Sequence, residues 1–375
     1  MSCPDLNAHR PAKILLHAFP SFEIGGSQLR FAALANHHGG RYRHLVVAMN
    51  GKAGCQARIE KDTPCEILDF PVPKNRTARN FFALRGLLKT VKPDLLITYN
   101  WGAIEWALAN IVPLCRHLHI EDGFGPDESA TAGFRRRAIF RRLVLSPHSR
   151  LVLPSKTLLD IARDDWHLPS QRLSYVPNGI DCARFAVSPD PEVLAMVRRT
   201  EDELVIGTVA ALRPEKNLSR MIRAFARLPF ERPARLVIVG DGVEREKLQI
   251  LGDALSLGSR ILFTGAMAQP ERIIGAFDIF ALSSDTEQMP FSILEAMAAG
   301  LPVAAVGVGD VAEMVSAENR AFIVPPSADR LAGAMATLLE DPARRAALGE
   351  GNRLHVRAHY DQDSMFRRYA ALFDG

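Results

Sequence analysis

Short apolar runs alternate with helix-like segments along most of the chain, and this alternation limits the possible fold more than any other feature. A strand of a parallel sheet is buried on both faces, and the connection to the next parallel strand is usually a helix. In the first half we predict strands at residues 13–18, 44–49, 94–98, 117–120, 150–153 and 173–176. In the second half we predict strands at residues 204–210, 235–239, 260–263, 279–282 and 303–306. Both halves are therefore predicted to be doubly wound α/β sheets.

A turn signal separates the two halves. Pro177 and the pair Asn178-Gly179 interrupt the strand pattern, as is typical of a connection. The length of 375 residues suits two domains that each bury a core. We predict an N-terminal domain over residues 1–177, a C-terminal domain over residues 178–358 and a final helical segment over residues 359–375.

Composition limits the environment and the partners. A net charge of +4 and a pI near 8.9 give weak support for an anionic partner. Aromatic residues make up 7% of the chain and no zinc-finger or recognition-helix pattern is visible, so we expect no nucleic-acid binding. The first ten residues are polar and no apolar run reaches the roughly 20 residues that span a bilayer, so we expect a cytoplasmic protein. The scattered cysteines predict reduced thiols and no zinc site: Cys3, Cys55, Cys65, Cys115 and Cys182.

Two glutamates flank a predicted helix start in the second half. Glu287 lies in a polar loop, and Pro290 suits a first helical turn because its fixed φ fits there. Glu295 then lies about one turn inside the helix, whose amide end attracts anions. One carboxylate can hold hydroxyls on one side of a bound phosphate and the other can hold hydroxyls on the opposite side. A sugar nucleotide has this layout of sugar, diphosphate and ribose.

A cationic loop follows the first predicted strand of the second half. Arg213 and Lys216 lie where that strand ends and a helix begins, with Asn217 as the predicted N-cap. Pro214 favours an extended conformation at Arg213. Fixed positive charge of this kind stabilises a phosphate that gains negative charge as it leaves.

These motifs resemble those of the retaining GT-B glycosyltransferases of family 4, the glycosyl transferases group 1. The spacing from Glu287 to Glu295 resembles the family's E-x7-E signature, and Arg213 with Lys216 resembles its R-x-x-K diphosphate clamp. The run at residues 176–181 resembles the V-P-N-G-I-D linker between its two domains. The resemblance implies a GT-B fold of two Rossmann-like domains that face each other across a cleft. It also implies that residues 359–375 cross back to the first domain.

The resemblance implies roles for individual residues. Glu287 would contact the transferred sugar, Glu295 the ribose, and Arg213 and Lys216 the diphosphate. The implied donor-binding set also contains Gly25, Gly26, Met267, Gln288, Met289, Pro290, Phe291 and Ser292. Gln288 stands where many relatives have glycine and narrows the expected sugar pocket, so the sequence leaves the sugar open and implies a UDP- or GDP-linked donor.

The acceptor side departs further from the family. Asp122 replaces the histidine that relatives carry, and His119 lies inside the preceding strand. We therefore rank Asp122 first and His119 second as the acceptor-side hydrogen-bonding group near the anomeric centre. Asn100 and Trp101 resemble an N-W-G-A run of a subgroup tied to bacterial exopolysaccharide assembly. These two residues suit sugar stacking and an ordinary packing corner equally well.

An acid-free segment lies in the same half. Its arginines alternate with apolar residues: Arg135, Arg136, Arg137, Arg141 and Arg142. Two interpretations stay open, a solvated helix packed by its apolar stripe and a helix that lies on the anionic inner face of the plasma membrane.

The resemblance therefore implies a retaining glycosyltransferase of polysaccharide biosynthesis. It would move a sugar from a nucleotide-diphosphate sugar to a hydroxyl of a glycan or polyprenyl-linked acceptor, with no cofactor and no metal. A non-catalytic sugar-nucleotide-binding protein and a GT-B epimerase are the alternatives. An NAD-dependent oxidoreductase is excluded because Gly240 and Gly242 lack the third glycine of the dinucleotide fingerprint, whose position is taken by Arg245.

Overall fold

The computed structural model describes residues 12–73, 76–123, 131–145, 147–198, 200–229 and 233–375, without the side chains of residues 131–134. The polar N-terminal segment, residues 1–10, lies outside the described residues. The chain divides into two compact units. The first comprises the described part of Met1–Val176 together with Tyr369–Gly375, and the second comprises Pro177–Arg368.

The first unit is a parallel sheet with helices between its strands. Its strands are β1 (Lys13–Phe19), β2 (Tyr42–Ala48), β3 (Cys65–Leu68), β4 (Leu95–Tyr99), β5 (Arg116–Ile120), β6 (Ser149–Leu153) and β7 (Leu173–Tyr175). Its helices are α1 (Gly26–His38), α2 (Thr77–Val91), α3 (Ile104–Ala109), α4 (Thr131–Leu145) and α5 (Lys156–Asp164). The strand order is β3-β2-β1-β4-β5-β6-β7, so the order reverses between β1 and β4.

The second unit repeats this plan. Its strands are β8 (Leu204–Val209), β9 (Ala234–Val239), β10 (Ile261–Gly265), β11 (Ile279–Leu282), β12 (Val303–Val306) and β13 (Ile323–Val324). Its helices are α6 (Cys182–Phe185), α7 (Pro191–Val197), α8 (Leu218–Phe225), α9 (Arg245–Ala254), α10 (Glu271–Ile274), α11 (Phe291–Ala298), α12 (Val311–Met314), α13 (Ala328–Glu340) and α14 (Pro342–His359). The strand order β10-β9-β8-β11-β12-β13 is that of a Rossmann-type sheet, with its reversal between β8 and β11.

The core explains why the strands are continuous apolar runs. In β8, Val205 belongs to one buried cluster and Ile206 to another, and Val237 and Ile238 of β9 divide in the same way. Successive side chains of a strand point to opposite faces, so both faces of this sheet are buried under helices. Each strand predicted from the sequence is present, and β3 and β13 are additional.

The last helix, α15 (Gln362–Asp374), contains the boundary between the units, since Tyr369 onward belongs to the first. Its final turn is held by basic groups of the first unit: Lys13 donates to the carbonyl oxygen of Asp374 at 2.8 Å, and Arg116 donates to those of Phe373 and Leu372 at 3.2 and 3.1 Å. None of the helices in the described ranges is long and apolar enough to span a bilayer.

Candidate functional site

The reversal point of the second sheet brings together the two loops that the sequence singled out. One loop follows β8 and carries Arg213 and Lys216, and the other follows β11 and carries Glu287. The Lys216 Nζ lies 2.6 Å from Oε1 of Glu287, and the hydroxyl of Ser284 donates to the same oxygen at 2.7 Å. Ligands of open α/β sheets bind at this edge, where the strand order reverses.

The backbone of the cationic loop has the predicted conformation at Arg213 and at the N-cap Asn217. Arg213 is extended, with φ −118° and ψ 156°, directly before Pro214. Asn217 caps α8 in the left-handed conformation, with φ 43°, and its side chain accepts a hydrogen bond from the amide of Arg220. The Arg213 side chain is exposed at the edge of the sheet, whereas 26% of the Lys216 side chain is accessible.

A clasp that the sequence did not reveal ties these loops together. Arg220 on α8 donates to the carbonyl oxygen of Ser283 at 2.8 Å and to the carboxylate of Asp285 at 2.6 Å. The Asn217 side-chain amide donates to the same carboxylate, at 2.9 Å to its nearer oxygen. The amide of Asp285 donates to the carbonyl oxygen of Glu215 at 2.9 Å. The clasp fixes the Lys216 loop against the Glu287 loop, and its members are polar residues without a distinctive sequence pattern.

Three glycines support the loops by close backbone approach. A Cβ at Gly309, where φ is +53°, would lie 2.2 Å from the carbonyl oxygen of Glu287. A Cβ at Gly240 would lie 1.9 Å from the carbonyl oxygen of Ala210, and one at Gly242 would lie 2.5 Å from that of Leu212. The glycine pair that mimics part of a dinucleotide fingerprint therefore packs on the loop that leads to Arg213.

Helix α11 begins at Phe291, and Pro290 is its extended N-cap residue rather than part of its first turn. The first amides of a helix have no acceptor inside it, so those of Phe291 and Ser292 face outward from the helix end. Glu295 follows on this helix and is half-buried. Burial raises the pKa of Glu295 to about 7, with Arg184 acting in the opposite direction and Glu271 adding to the rise.

Other predicted donor residues have structural contacts of their own. Met289 is buried, and its carbonyl oxygen accepts a hydrogen bond from the side chain of Asn178 at 2.9 Å. Gln288 is also buried, and its carbonyl oxygen accepts from the amide of Asp310 at 3.0 Å. Met267 follows β10 and packs partly buried against the core. Gly25 in the first unit is the extended N-cap of α1, which begins at Gly26.

In the first unit, Asp122 is held rigidly at the end of β5. Both of its carboxylate oxygens accept from Arg30, at 2.6 and 2.9 Å, and its amide donates to Oδ1 of Asn100 at 2.7 Å. Arg30 is 3% exposed and lies over the ring of Tyr369 at 5.7 Å. Asn100 has a φ of +56°, which few residues other than glycine adopt. The ion pair with Arg30 thus fixes the orientation of the Asp122 carboxylate at the end of β5.

His119 lies in the interior of the first unit. It is fully buried, its Nδ1 lies 2.7 Å from the hydroxyl of Thr98, and its Nε2 lies 3.4 Å from Oε2 of Glu121. Trp101 is contacted by α4, with Arg137 and Arg141 over its ring at 5.1 and 4.9 Å. These contacts favour a packing corner over a sugar-stacking surface at Trp101.

Of the two interpretations left open for the acid-free segment, membrane contact does not hold for Arg141, and neither does a solvated position. Arg141 is fully buried, donates to Glu121 at 3.1 Å and lies 4.3 Å from the ring centre of Trp166. Burial acts to raise the pKa of Glu121, but Arg141 and His119 hold it below its usual value. Arg137 is half-buried against Trp101, whereas Arg135, Arg136 and Arg142 are exposed.

Comparisons with known proteins agree with this architecture. A family model described as "Glycosyltransferase Family 4" matches residues 24–184, and one described as "Glycosyl transferases group 1" matches residues 192–355. The crystal structure of HepE from Anabaena in complex with UDP and glucose superposes with a TM-score of 0.82 at 20% identity, over 96% of this chain and 99% of that one.

Two sequence relatives are also described as glycosyltransferases. The GDP-mannose-dependent monoacylated alpha-(1-6)-phosphatidylinositol monomannoside mannosyltransferase of Corynebacterium glutamicum is 31% identical over 208 residues, which is 52% of this chain and 54% of that protein. An uncharacterized glycosyltransferase of Methanocaldococcus jannaschii is 25% identical over 300 residues, 77% of each chain. This chain spans about half the length of the curated mannosyltransferase relatives that it matches.

The fold is that of the GT-B glycosyltransferases, as the sequence predicted. Within that class, the chain belongs to the family 4 glycosyltransferases, the glycosyl transferases group 1.

Proposed function

We propose that this protein is a retaining glycosyltransferase that transfers a sugar from a nucleotide-diphosphate sugar to a hydroxyl group. The observation that carries the proposal is the contact of Lys216 with Glu287 at the reversal point of the second sheet, beside the amide end of α11. A cation, a carboxylate and a helix N-terminus at one sheet edge match the phosphate and hydroxyl groups of a sugar nucleotide.

The cationic groups act on the leaving diphosphate. As the bond from the anomeric carbon to the phosphate oxygen breaks, negative charge grows on the diphosphate, and Arg213, Lys216 and the first amides of α11 stabilise it. The acceptor hydroxyl attacks on the face from which the diphosphate departs, and its proton passes to a phosphate oxygen. Configuration is retained, no separate strong base is required, and basic side chains supply the charge that a metal would otherwise provide.

The two glutamates hold hydroxyls of the donor. Glu287 accepts hydrogen bonds from the sugar, and Glu295 accepts them from the ribose. With a pKa near 7, Glu295 is partly protonated at neutral pH, and charge-assisted bonds to the ribose favour its ionised form. The donor nucleoside is uridine or guanosine: HepE was solved with UDP, and the Corynebacterium relative depends on GDP-mannose.

The acceptor belongs to the first unit, where Asp122 is the oriented hydrogen-bond acceptor. The acceptor is a glycan or a lipid-linked saccharide, in keeping with the phosphatidylinositol monomannoside named for the Corynebacterium relative. The exposed face of α4 supports contact with an anionic bilayer. Ile139 and Leu143 are 61% and 64% exposed there, near the exposed Arg135, Arg136 and Arg142.

A turnover screen tests the proposal. The protein is incubated with a panel of UDP- and GDP-sugars, with and without saccharide acceptors, and nucleotide release is measured in the presence and absence of EDTA. We expect release from one donor that rises with acceptor and is unchanged by EDTA. Binding without release would favour the non-catalytic alternative, and conversion of the donor sugar without transfer would favour an epimerase.

A variant connects this activity to the site. A cation about 4 Å from a phosphate gains on the order of 4 kcal/mol at an effective dielectric of about 20. Lys216→Ala should therefore lower kcat/KM by about a thousandfold. Lys247→Ala is the control, because Lys247 is a 68% exposed lysine of α9 in the same unit. A Lys216→Ala rate equal to that of the control would remove Lys216 from the mechanism.

A further inference from the structure

The ammonium group of Lys216, which we propose stabilises the diphosphate, is already paired with a carboxylate. Its Nζ lies 2.6 Å from Oε1 of Glu287, which is the distance of a charge-assisted hydrogen bond. The Glu287 side chain is 10% exposed, so water screens this carboxylate only weakly. Any diphosphate that reaches Lys216 therefore meets the Glu287 carboxylate at close range.

The surrounding contacts hold the Lys216 and Glu287 loops together, so a diphosphate bound at Lys216 would stay close to the Glu287 carboxylate. Besides the clasp bond from the amide of Asp285 to the carbonyl oxygen of Glu215 at 2.9 Å, the side-chain hydroxyl of Ser283 donates to the carbonyl oxygen of Lys216 at 3.1 Å. Ser284 also holds the carboxylate of Glu287 in place at 2.7 Å. The repulsion between phosphate and carboxylate is thus not relieved by separating the loops.

We propose that Glu287 is a specificity determinant that selects against diphosphates carrying no sugar. The inference rests on the proposed function and adds a second role to the Glu287 carboxylate. When a sugar nucleotide binds, Lys216 donates to the phosphate instead of to Glu287. The sugar hydroxyls then donate hydrogen bonds to Glu287 and replace the one that it has lost. A nucleoside diphosphate lacks the transferred sugar and its ribose hydroxyls are directed to Glu295, so its phosphate charge faces the Glu287 carboxylate without compensating hydrogen bonds. The same repulsion favours departure of the nucleoside diphosphate once the sugar has been transferred.

Calorimetric titration of the Glu287→Gln variant tests this role, because glutamine keeps the shape of the side chain and removes its charge. The probes are UDP and GDP, with uridine and guanosine as uncharged counterparts. We expect the variant to bind the preferred nucleoside diphosphate at least tenfold more tightly than the wild type does, or about 1.4 kcal/mol. Affinity for the nucleoside should be unchanged, and turnover should fall.

The matched control is Glu340→Gln, which changes the net charge equally at an exposed residue at the end of α13. It should leave the affinity for UDP and GDP unchanged, and thermal unfolding of each variant confirms folding. Equal binding of the diphosphate by the wild type and Glu287→Gln would overturn the inference and leave the proposed function intact, since Glu287 would then act on the sugar alone. Failure of both proteins to bind UDP or GDP would overturn the proposed function together with the inference.

Discussion

Replacing Gly309 with alanine should lower the rate of sugar transfer by displacing the loop that carries Glu287. The new Cβ would lie 2.2 Å from the carbonyl oxygen of Glu287 and 2.9 Å from the Cα of Gln288, both backbone atoms that cannot rotate away. Restoring an ordinary contact of 3.4 Å requires the loop to move by about 1 Å, and a shift of that size in a catalytic group reduces rates by about a hundredfold. The left-handed φ of +53° adds strain of about 1 kcal/mol for alanine.

Initial rates of nucleoside diphosphate release, together with thermal unfolding, measure these effects. We expect kcat/KM to fall by about a hundredfold and Tm to fall by about 2–4 °C for each kcal/mol of strain. Gly333→Ala is the control, because a Cβ there meets nothing within 4 Å and the residue lies inside α13. Alanine favours a helix over glycine by about 1 kcal/mol, so this variant should be slightly more stable and fully active. A Gly309→Ala rate within twofold of the wild type would refute the dependence of Glu287 on this packing.

Two further predictions concern the first unit. Replacing Arg135 and Arg142 with serine should weaken binding to anionic vesicles, measured by co-sedimentation, by roughly 1 kcal/mol of binding free energy per arginine. Arg223→Ser in the second unit should leave binding unchanged. An equal loss of binding in both variants would contradict a specific membrane-binding surface on α4. Acid should destabilise the protein, because burial and then His38 lower the pKa of His44 to about 4. As the pH falls below 6.5, His44 gains a proton in the unfolded chain before it does in the folded protein, so the free energy of unfolding should fall by about 3 kcal/mol by pH 4. A Tm that stays constant from pH 7 to pH 4 would contradict this.

The sequence predicted the sheets well because buried parallel strands are apolar on both faces. The strands that it missed, β3 and β13, are short edge strands of four and two residues that pair on one side only. The Lys216 and Glu287 loops were predicted from local patterns, and the strand order then brought them together. Gly309 gave no such signal, since its partner is a backbone carbonyl of another loop.

Charge was the least predictable property. Arginines in an acid-free segment indicated an exposed face, yet Arg141 is fully buried beside Glu121 at the end of β5. The helix pattern of α4 does not contain this information, because the carboxylate that stabilises Arg141 comes from another element. Asp122 illustrates the same limit, since Arg30 of α1 fixes its orientation.

The three tryptophans give the molecule an uneven optical signature. Trp101, Trp106 and Trp166 account for every tryptophan in the chain, and all of them belong to the first unit. Indole emission therefore monitors that unit alone, while circular dichroism registers both. In a denaturant titration, a difference between the two spectroscopic midpoints would show that the halves unfold separately, without any added label.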